Sequence, residues 1–210
     1  MKTILLTGAG GGIGSVIKKA LEQSGDRVIG IGRADADLSV HSDIQKLQDK
    51  AQGGIDWLVC AHGYIDTETD LEKQRPEDIK TTFDVNIISL VYLTQILLPH
   101  IRSGGGVIFI SSSAGLNPNG RYAAYSASKA AVNAFSQALA HNKPELVCVS
   151  VCPGPTNTGM RERVAHDAAK HQSPEVIAAV VADILNGKGE YKSGDVVLVK
   201  DGLTSIASRI

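Results

Sequence analysis

Short apolar runs alternate with longer stretches of helical periodicity along the whole chain. Residues 2–7 form the first run, aliphatic and short enough for a buried strand, and it dissolves into glycines. Apolar positions at helical spacing follow over about 13–23 and stop at Gly25, a residue that accepts the left-handed turn ending many helices. Strand-like runs recur at 27–31, 55–61, 106–111, 146–152 and 195–199. Between them the pattern predicts helices over about 42–51, from Pro76 to near Arg102, over about 122–141, and from Ser173 to Leu185. The last opens with Ser173-Pro174-Glu175, a cap serine with a first-turn proline, and closes at Gly187. This alternation predicts an α/β fold, a parallel sheet with helices on both faces.

The stretch between the second and third runs has room for one helix and at most a stub of strand near 37–40. No internal repeat, low-complexity tract or linker interrupts the pattern, so one domain over 1–210 is expected. The apolar start breaks at Thr7, without the hydrophobic region of a signal peptide. No run approaches the ~18 apolar residues of a membrane helix.

Composition mainly excludes. With 43% hydrophobic and 20% charged residues in 210, this is an ordinary globular chain. A formal net charge of -1 advertises no face for nucleic acid or an anionic membrane. Cys60, Cys148 and Cys152 sit in apolar runs at no zinc spacing and read as reduced core thiols, which points to the cytoplasm. His166 and His171 fall in a charged segment and read as solvated, so no metal set is expected.

Candidate chemistry begins at Thr7-Gly8-Ala9-Gly10-Gly11-Gly12-Ile13-Gly14, between the first strand and the first helix. Glycines there let the backbone turn sharply and approach a pyrophosphate, while the helix start offers free N–H groups. The spacing Gly8, Gly12, Gly14 departs from Gly-x-Gly-x-x-Gly, because Ile13 stands where its last glycine falls. The second strand ends at Gly32-Arg33, where an acidic residue would hold a ribose and an arginine can pair with a 2′-phosphate. NADP is therefore expected over NAD, although Asp35 and Asp37 lie near enough to reach a ribose.

Tyr125 and Lys129 stand four apart, on one face of the helix predicted over 122–141. An ammonium beside a phenol lowers its pKa of about 10 and makes it a usable general acid or base. Alone, such a pair is common by chance. Together with the glycine loop, Asn86, Ser111-Ser112-Ser113-Ala114-Gly115 and Pro153-Gly154, it resembles the short-chain dehydrogenase/reductase family over almost the whole chain.

The resemblance implies a Rossmann-type doubly wound sheet and an NAD(P)-dependent enzyme acting on alcohol or carbonyl carbons of small molecules. It implies that Ser112, 13 residues before Tyr125, holds the substrate oxygen, with Ser111 and Ser113 as confusable neighbours. Tyr125 then exchanges a proton with that oxygen. Lys129 bonds the nicotinamide ribose and lowers the Tyr125 pKa, and Asn86 anchors a water leading to Lys129. Implied cofactor contacts are Gly8, Gly10, Gly12, Ile13, Gly14, Ala61, Gly63, Pro153, Gly154 and Thr158, with Asp37-Leu38 flanking the adenine. A homodimer or homotetramer through the two long helices is implied as well.

Two departures stand out. The family's Asn-Asn-Ala-Gly is here Cys60-Ala61-His62-Gly63, so His62 either stabilises the loop or touches substrate. The helix that normally follows the second strand is missing, and the segment 159–172 is short and polar. An open pocket near Ala114, Asn117, Tyr122, Gly154 and Met160 is expected. The alternative function is a non-catalytic dinucleotide sensor on the same fold.

Overall fold

The computed structural model describes residues 1–68, 70–118, 120–164 and 171–210. Among them runs a seven-stranded sheet in the order β2-β1-β3-β4-β5-β6-β7. The strands are β1 Thr3–Thr7, β2 Arg27–Ile31, β3 Ile55–Cys60, β4 Ile101–Ile110, β5 Val147–Pro153, β6 Val196–Lys200 and β7 Leu203–Ser208. The first six pair in parallel and β7 antiparallel to β6. The helices are α1 Gly12–Gln23, α2 His41–Lys50, α3 Pro76–Phe83, α4 Ser89–Leu97, α5 Ala123–Asn142, α6 Gly159–Val164 and α7 Pro174–Leu185. The expected doubly wound α/β architecture is present.

Alternation along each strand builds two cores. Leu5, Leu58, Val107 and Phe109 point to one face and pack with Ile44, Leu90, Leu93 and Val132 of α2, α4 and α5. Ile4, Leu6, Trp57, Val59, Ile108 and Ile110 point to the other and pack with Ile17, Leu21, Ile177 and Val181 of α1 and α7. A strand apolar on both faces has no polar side to expose, which is why these runs read as continuous rather than alternating.

From β1 the chain crosses to β2 on one side, and later to β3 on the other. The crevice at the carboxyl ends of β1 and β3 is the switch point where open α/β sheets place ligands. The stub of strand near 37–40 did not form. Asp37 instead accepts from the N–H and hydroxyl of Ser39, a turn that leaves β2 as the sheet edge.

Several boundaries differ from expectation. β4 begins at Ile101, five residues before the apolar run, because its glycines are strand rather than loop. The helix expected from Pro76 is broken by a π-helical turn over Asp84–Ile88 and ends in a 3-10 turn, Leu98–His100. By length and composition the stretch Pro76–His100 could cross a membrane, contrary to the expectation that no run would. Its Leu90, Leu93 and Leu97 lie in the core. Ser173 precedes α7 but makes no side-chain cap; its hydroxyl turns to the Glu175 carboxylate. β7 was not expected at all. The turn before it holds Asp201 at φ 53° and Gly202 at φ 76°, the conformation Asp-Gly favours in two-residue hairpins.

Candidate active site

At the end of β1 the chain must reverse into α1. Gly8 takes φ 69°, and the Gly11 N–H donates to the Gly8 carbonyl at 2.8 Å. A side chain at Gly8 would stand 2.6 Å from the Ala61 carbonyl oxygen, and one at Gly14 only 2.1 Å from that of Gly8. Both glycines are thus fixed by packing of the loop on itself and on the peptide after β3. Gly10 differs: it is exposed at the tip, and a side chain there meets nothing within 4 Å. Ile13 packs with the α1 core. Gly11, the residue before α1, has no side chain to cap the helix, and among the described residues no side chain is bonded to the first N–H groups.

Thr158 comes to this loop from after β5. A side chain at Gly12 would lie 2.6 Å from Thr158 Cβ, so the two predicted cofactor contacts meet. Pro153 ends β5, and the Gly154 N–H continues the ladder to the Val199 carbonyl at 2.7 Å. At the tip of β2, Arg33 is exposed and makes no ion pair among the described residues. Asp35 is engaged by the Gly32 N–H at 2.9 Å and by Lys50 at 3.7 Å. Asp37 is engaged by Ser39, whose hydrogen bonds hold its carboxyl below the usual range. Leu38 packs on the core.

The polar cluster lies at the carboxyl ends of β3 and β4. The three adjacent serines separate by direction. Ser111 is buried and donates to the Lys129 carbonyl at 2.9 Å. Ser112 caps the 3-10 turn Ser113–Gly115 by accepting from the Ala114 N–H at 3.1 Å, and also hydrogen-bonds Tyr125. Ser112 is therefore the serine brought to the tyrosine. Lys129 is 4% exposed and donates to the Ile110 carbonyl at 3.0 Å. Its ammonium lies 5.9 Å from the Tyr125 ring centre.

The electrostatics correct one expectation. Burial pushes the Tyr125 pKa up, the Ser112 hydrogen bond opposes that only in part, and no depression by Lys129 appears. Lys129 is itself desolvated, which drops its pKa to about 8.

Asn86, 1% exposed, sits in the π turn. Its Oδ1 accepts from the Tyr64 N–H at 2.7 Å, and its Nδ2 donates to the Tyr64 carbonyl at 2.8 Å and to Ser128 Oγ at 2.9 Å. The amide thus clamps the segment after β3. Between Asn86 and Lys129 lies Gly63, where a side chain would be 3.4 Å from both Asn86 Oδ1 and Lys129 Nζ. His62 reaches neither Tyr125 nor Ser112 by hydrogen bond; its ring nitrogens meet Thr7 Oγ1 at 2.6 Å and Ser89 Oγ at 3.1 Å. Of the two roles left open for His62, the loop-holding one is what these contacts support.

Beyond the cluster, the Tyr122 hydroxyl donates to the Val164 carbonyl at 3.1 Å, tying the end of α6 to the start of α5. That tie was not legible in the sequence. His166 lies outside the described residues. Cys60, Cys148 and Cys152 are free and buried, and desolvation pushes the thiols of Cys60 and Cys148 up to about 12.

Residues 34–169 match the profile of the short chain dehydrogenases. The chain belongs to that family. It is an oxidoreductase of the family's kind, working between CH–OH and C=O groups with NAD(P). A benzil reductase ((S)-benzoin forming) of Saccharomyces cerevisiae is 29% identical over 196 residues, covering 78% of this chain and 74% of the relative. A 3-ketoacyl-(acyl-carrier-protein) reductase from Brucella melitensis, complexed with NADH, shares the fold. Its TM-score is 0.88 at 21% identity, over 94% of this chain and 96% of the other. So does a short chain dehydrogenase from Burkholderia cenocepacia in complex with NADP, with TM-score 0.84 and 24% identity over 95% and 96% of the two chains.

Proposed function

We propose that this short-chain dehydrogenase is an NADP-dependent oxidoreductase of a small carbonyl or alcohol substrate, with Tyr125 as general acid/base. The observation that carries the reading is the meeting of Ser112, Tyr125 and Lys129 past the carboxyl end of β4, at the same end of the parallel sheet as the glycine loop that follows β1. One domain supplies both halves of the site.

The residues fit a dinucleotide. The open side of Gly10, the uncapped start of α1 and Thr158 above Gly12 make a cradle for a pyrophosphate. Arg33, which makes no ion pair among the described residues and is only weakly attracted by Asp37, can pair with a 2′-phosphate, while Asp35 and Asp37 are engaged locally. When bound, NADP supplies or accepts hydride at the substrate carbon.

The chain's own residues manage the proton. Ser112 holds the substrate oxygen against Tyr125. Because burial keeps Tyr125 protonated at neutral pH, the hydroxyl is ready to donate, which favours reduction of a carbonyl. Lys129, with a pKa brought to about 8, can pass a proton near neutrality, and Asn86 holds the loop that walls it in. The yeast relative makes aryl ketones and diketones the first substrates to assay.

Exposed small residues on α5, Ala123, Ala127, Ala134 and Ala138, and exposed Ile88 and Tyr92 on the helical stretch before β4 support a homodimer or homotetramer. Light scattering tests this, and a monomer overturns it. Free buried cysteines favour the cytoplasm. The function is tested by fluorescence titration with NADPH and NADH, followed by NADPH oxidation on a ketone panel. Binding and turnover with NADPH support it. Binding without turnover on any carbonyl supports a sensor instead.

A further inference from the structure

His62 stands on the peptide that packs against Gly8. Its two ring nitrogens reach opposite sides: Nδ1 to Thr7 Oγ1 at 2.6 Å and Nε2 to Ser89 Oγ at 3.1 Å. The proton inventory fixes the direction of these bonds. Ser89 Oγ spends its only hydrogen on the Val85 carbonyl at 2.8 Å. It can then only accept from His62, so Nε2 carries a hydrogen. In a neutral ring Nδ1 is then a bare acceptor, and the Thr7 hydroxyl donates to it.

We propose that His62 is a positioning residue, fixing the phosphate-binding loop to the turn that bears Asn86 through a directed chain that its neutral, Nε2-protonated form completes. The chain runs Thr7 Oγ1–H to His62 Nδ1, His62 Nε2–H to Ser89 Oγ, and Ser89 Oγ–H to the Val85 carbonyl. Thr7 is the last residue of β1, and Val85 and Asn86 are consecutive in the π turn. One side chain thereby spans the cofactor half and the proton-handling half of the crevice. A cation here would face Lys129, and burial together with that ammonium keeps the ring neutral, with its pKa down at about 3. The family's two asparagines, at the places of Cys60 and Ala61, are absent, and His62, at the place of the family's alanine, supplies an acceptor and a donor.

The inference rests on the proposed cofactor-dependent function, and it is tested in two ways. Long-range nitrogen–proton NMR of the histidine-labelled, nucleotide-free chain reads the tautomer directly. His62 is expected neutral with its hydrogen on Nε2 at pH 7; a hydrogen on Nδ1, or a cation, overturns the proposal. NADPH titration then compares variants. His62→Leu is expected to bind NADPH about tenfold more weakly, equivalent to about 1.4 kcal/mol. His62→Asn, whose amide offers an acceptor and a donor about as far apart as the ring nitrogens, is expected to recover binding to within about threefold of wild type. At saturating NADPH, kcat should fall less than the cofactor KM rises. Binding by His62→Leu within about twofold of wild type, or Asn no better than Leu, overturns the proposal. A wild-type chain that binds neither nucleotide sinks the proposed function, while the tautomer still decides the bridge.

Discussion

Lys129 Nζ donates to the Ile110 carbonyl at 3.0 Å while lying 5.9 Å from the Tyr125 ring centre. The ammonium is held by a backbone carbonyl in a buried place that costs it solvation. Burial lowers its pKa from the ordinary lysine value to about 8, so folding is penalised as long as the group stays charged.

The sign of that penalty gives the first prediction. Below pH 8 both folded and unfolded chains carry the proton, and the full penalty applies. Between about 8 and the ordinary lysine value the folded chain releases it first, and stability rises with pH. Lys129→Met should therefore melt higher than wild type at pH 7, by about 3–6 °C for ~1.5 kcal/mol in a chain of this size. The gap should narrow by pH 9.5, and turnover should fall about a hundredfold or more. Calorimetry at the two pH values checks it; a variant that melts lower at pH 7 contradicts it.

Arg33 should set the nucleotide preference. A charged pair with a phosphate is worth about 1.5–3 kcal/mol, so Arg33→Ala should weaken NADPH binding about 10–100-fold. NADH binding should stay within about twofold, because no ribose contact is removed. Fluorescence titration reads both. Equal loss for the two nucleotides would show that Arg33 supports the loop rather than selecting the phosphate.

The glycine loop divides by what surrounds each residue. Gly14→Ala places a methyl 2.1 Å from the Gly8 carbonyl oxygen and must push the loop off its strand. A loss of about 1–3 kcal/mol in denaturant titration is expected, with NADPH binding weakened alongside. Gly10→Ala meets open space and should leave stability within about 0.5 kcal/mol. Similar losses at both positions would contradict this division.

His62 carries an acid signature. In the unfolded chain it takes up a proton near the ordinary histidine value of 6.5, whereas the folded chain refuses it until about pH 3. Stability is lost as pH falls through that window, in addition to any loss from carboxylates. His62→Asn removes this component, so the difference in melting temperature between it and wild type should shift in favour of the variant from pH 7 to pH 4. A pH-independent difference contradicts it.

Much of this was legible before any coordinate. The six parallel strands and the helices over 13–23 and 122–141 came from apolar runs and spacing, because a strand covered on both faces must be apolar throughout. Tyr125 and Lys129 came from their helical spacing and Ser112 from the family resemblance, and packing brings Ser112 and Lys129 to Tyr125. Other features were hidden for physical reasons. The start of β4 runs through Gly104, Gly105 and Gly106, residues that signal loops until a neighbouring strand claims their backbone. Every residue of β7 is exposed, so it shows no buried stripe, and the one signal that could have found it, Asp201-Gly202, went unread. The bond from Tyr122 to Val164 and the bridge made by His62 depend on where side chains point, which spacing does not fix.

The most direct measurement is made on Tyr125→Phe, with NADPH titration and NADPH oxidation on an aryl ketone recorded beside wild type. Removing one hydroxyl leaves the ring and the cradle in place. The expected result is NADPH binding within about threefold of wild type and turnover reduced by about a thousandfold or more. Turnover near that of wild type would contradict the role of Tyr125 as the proton donor and, with it, the proposed function.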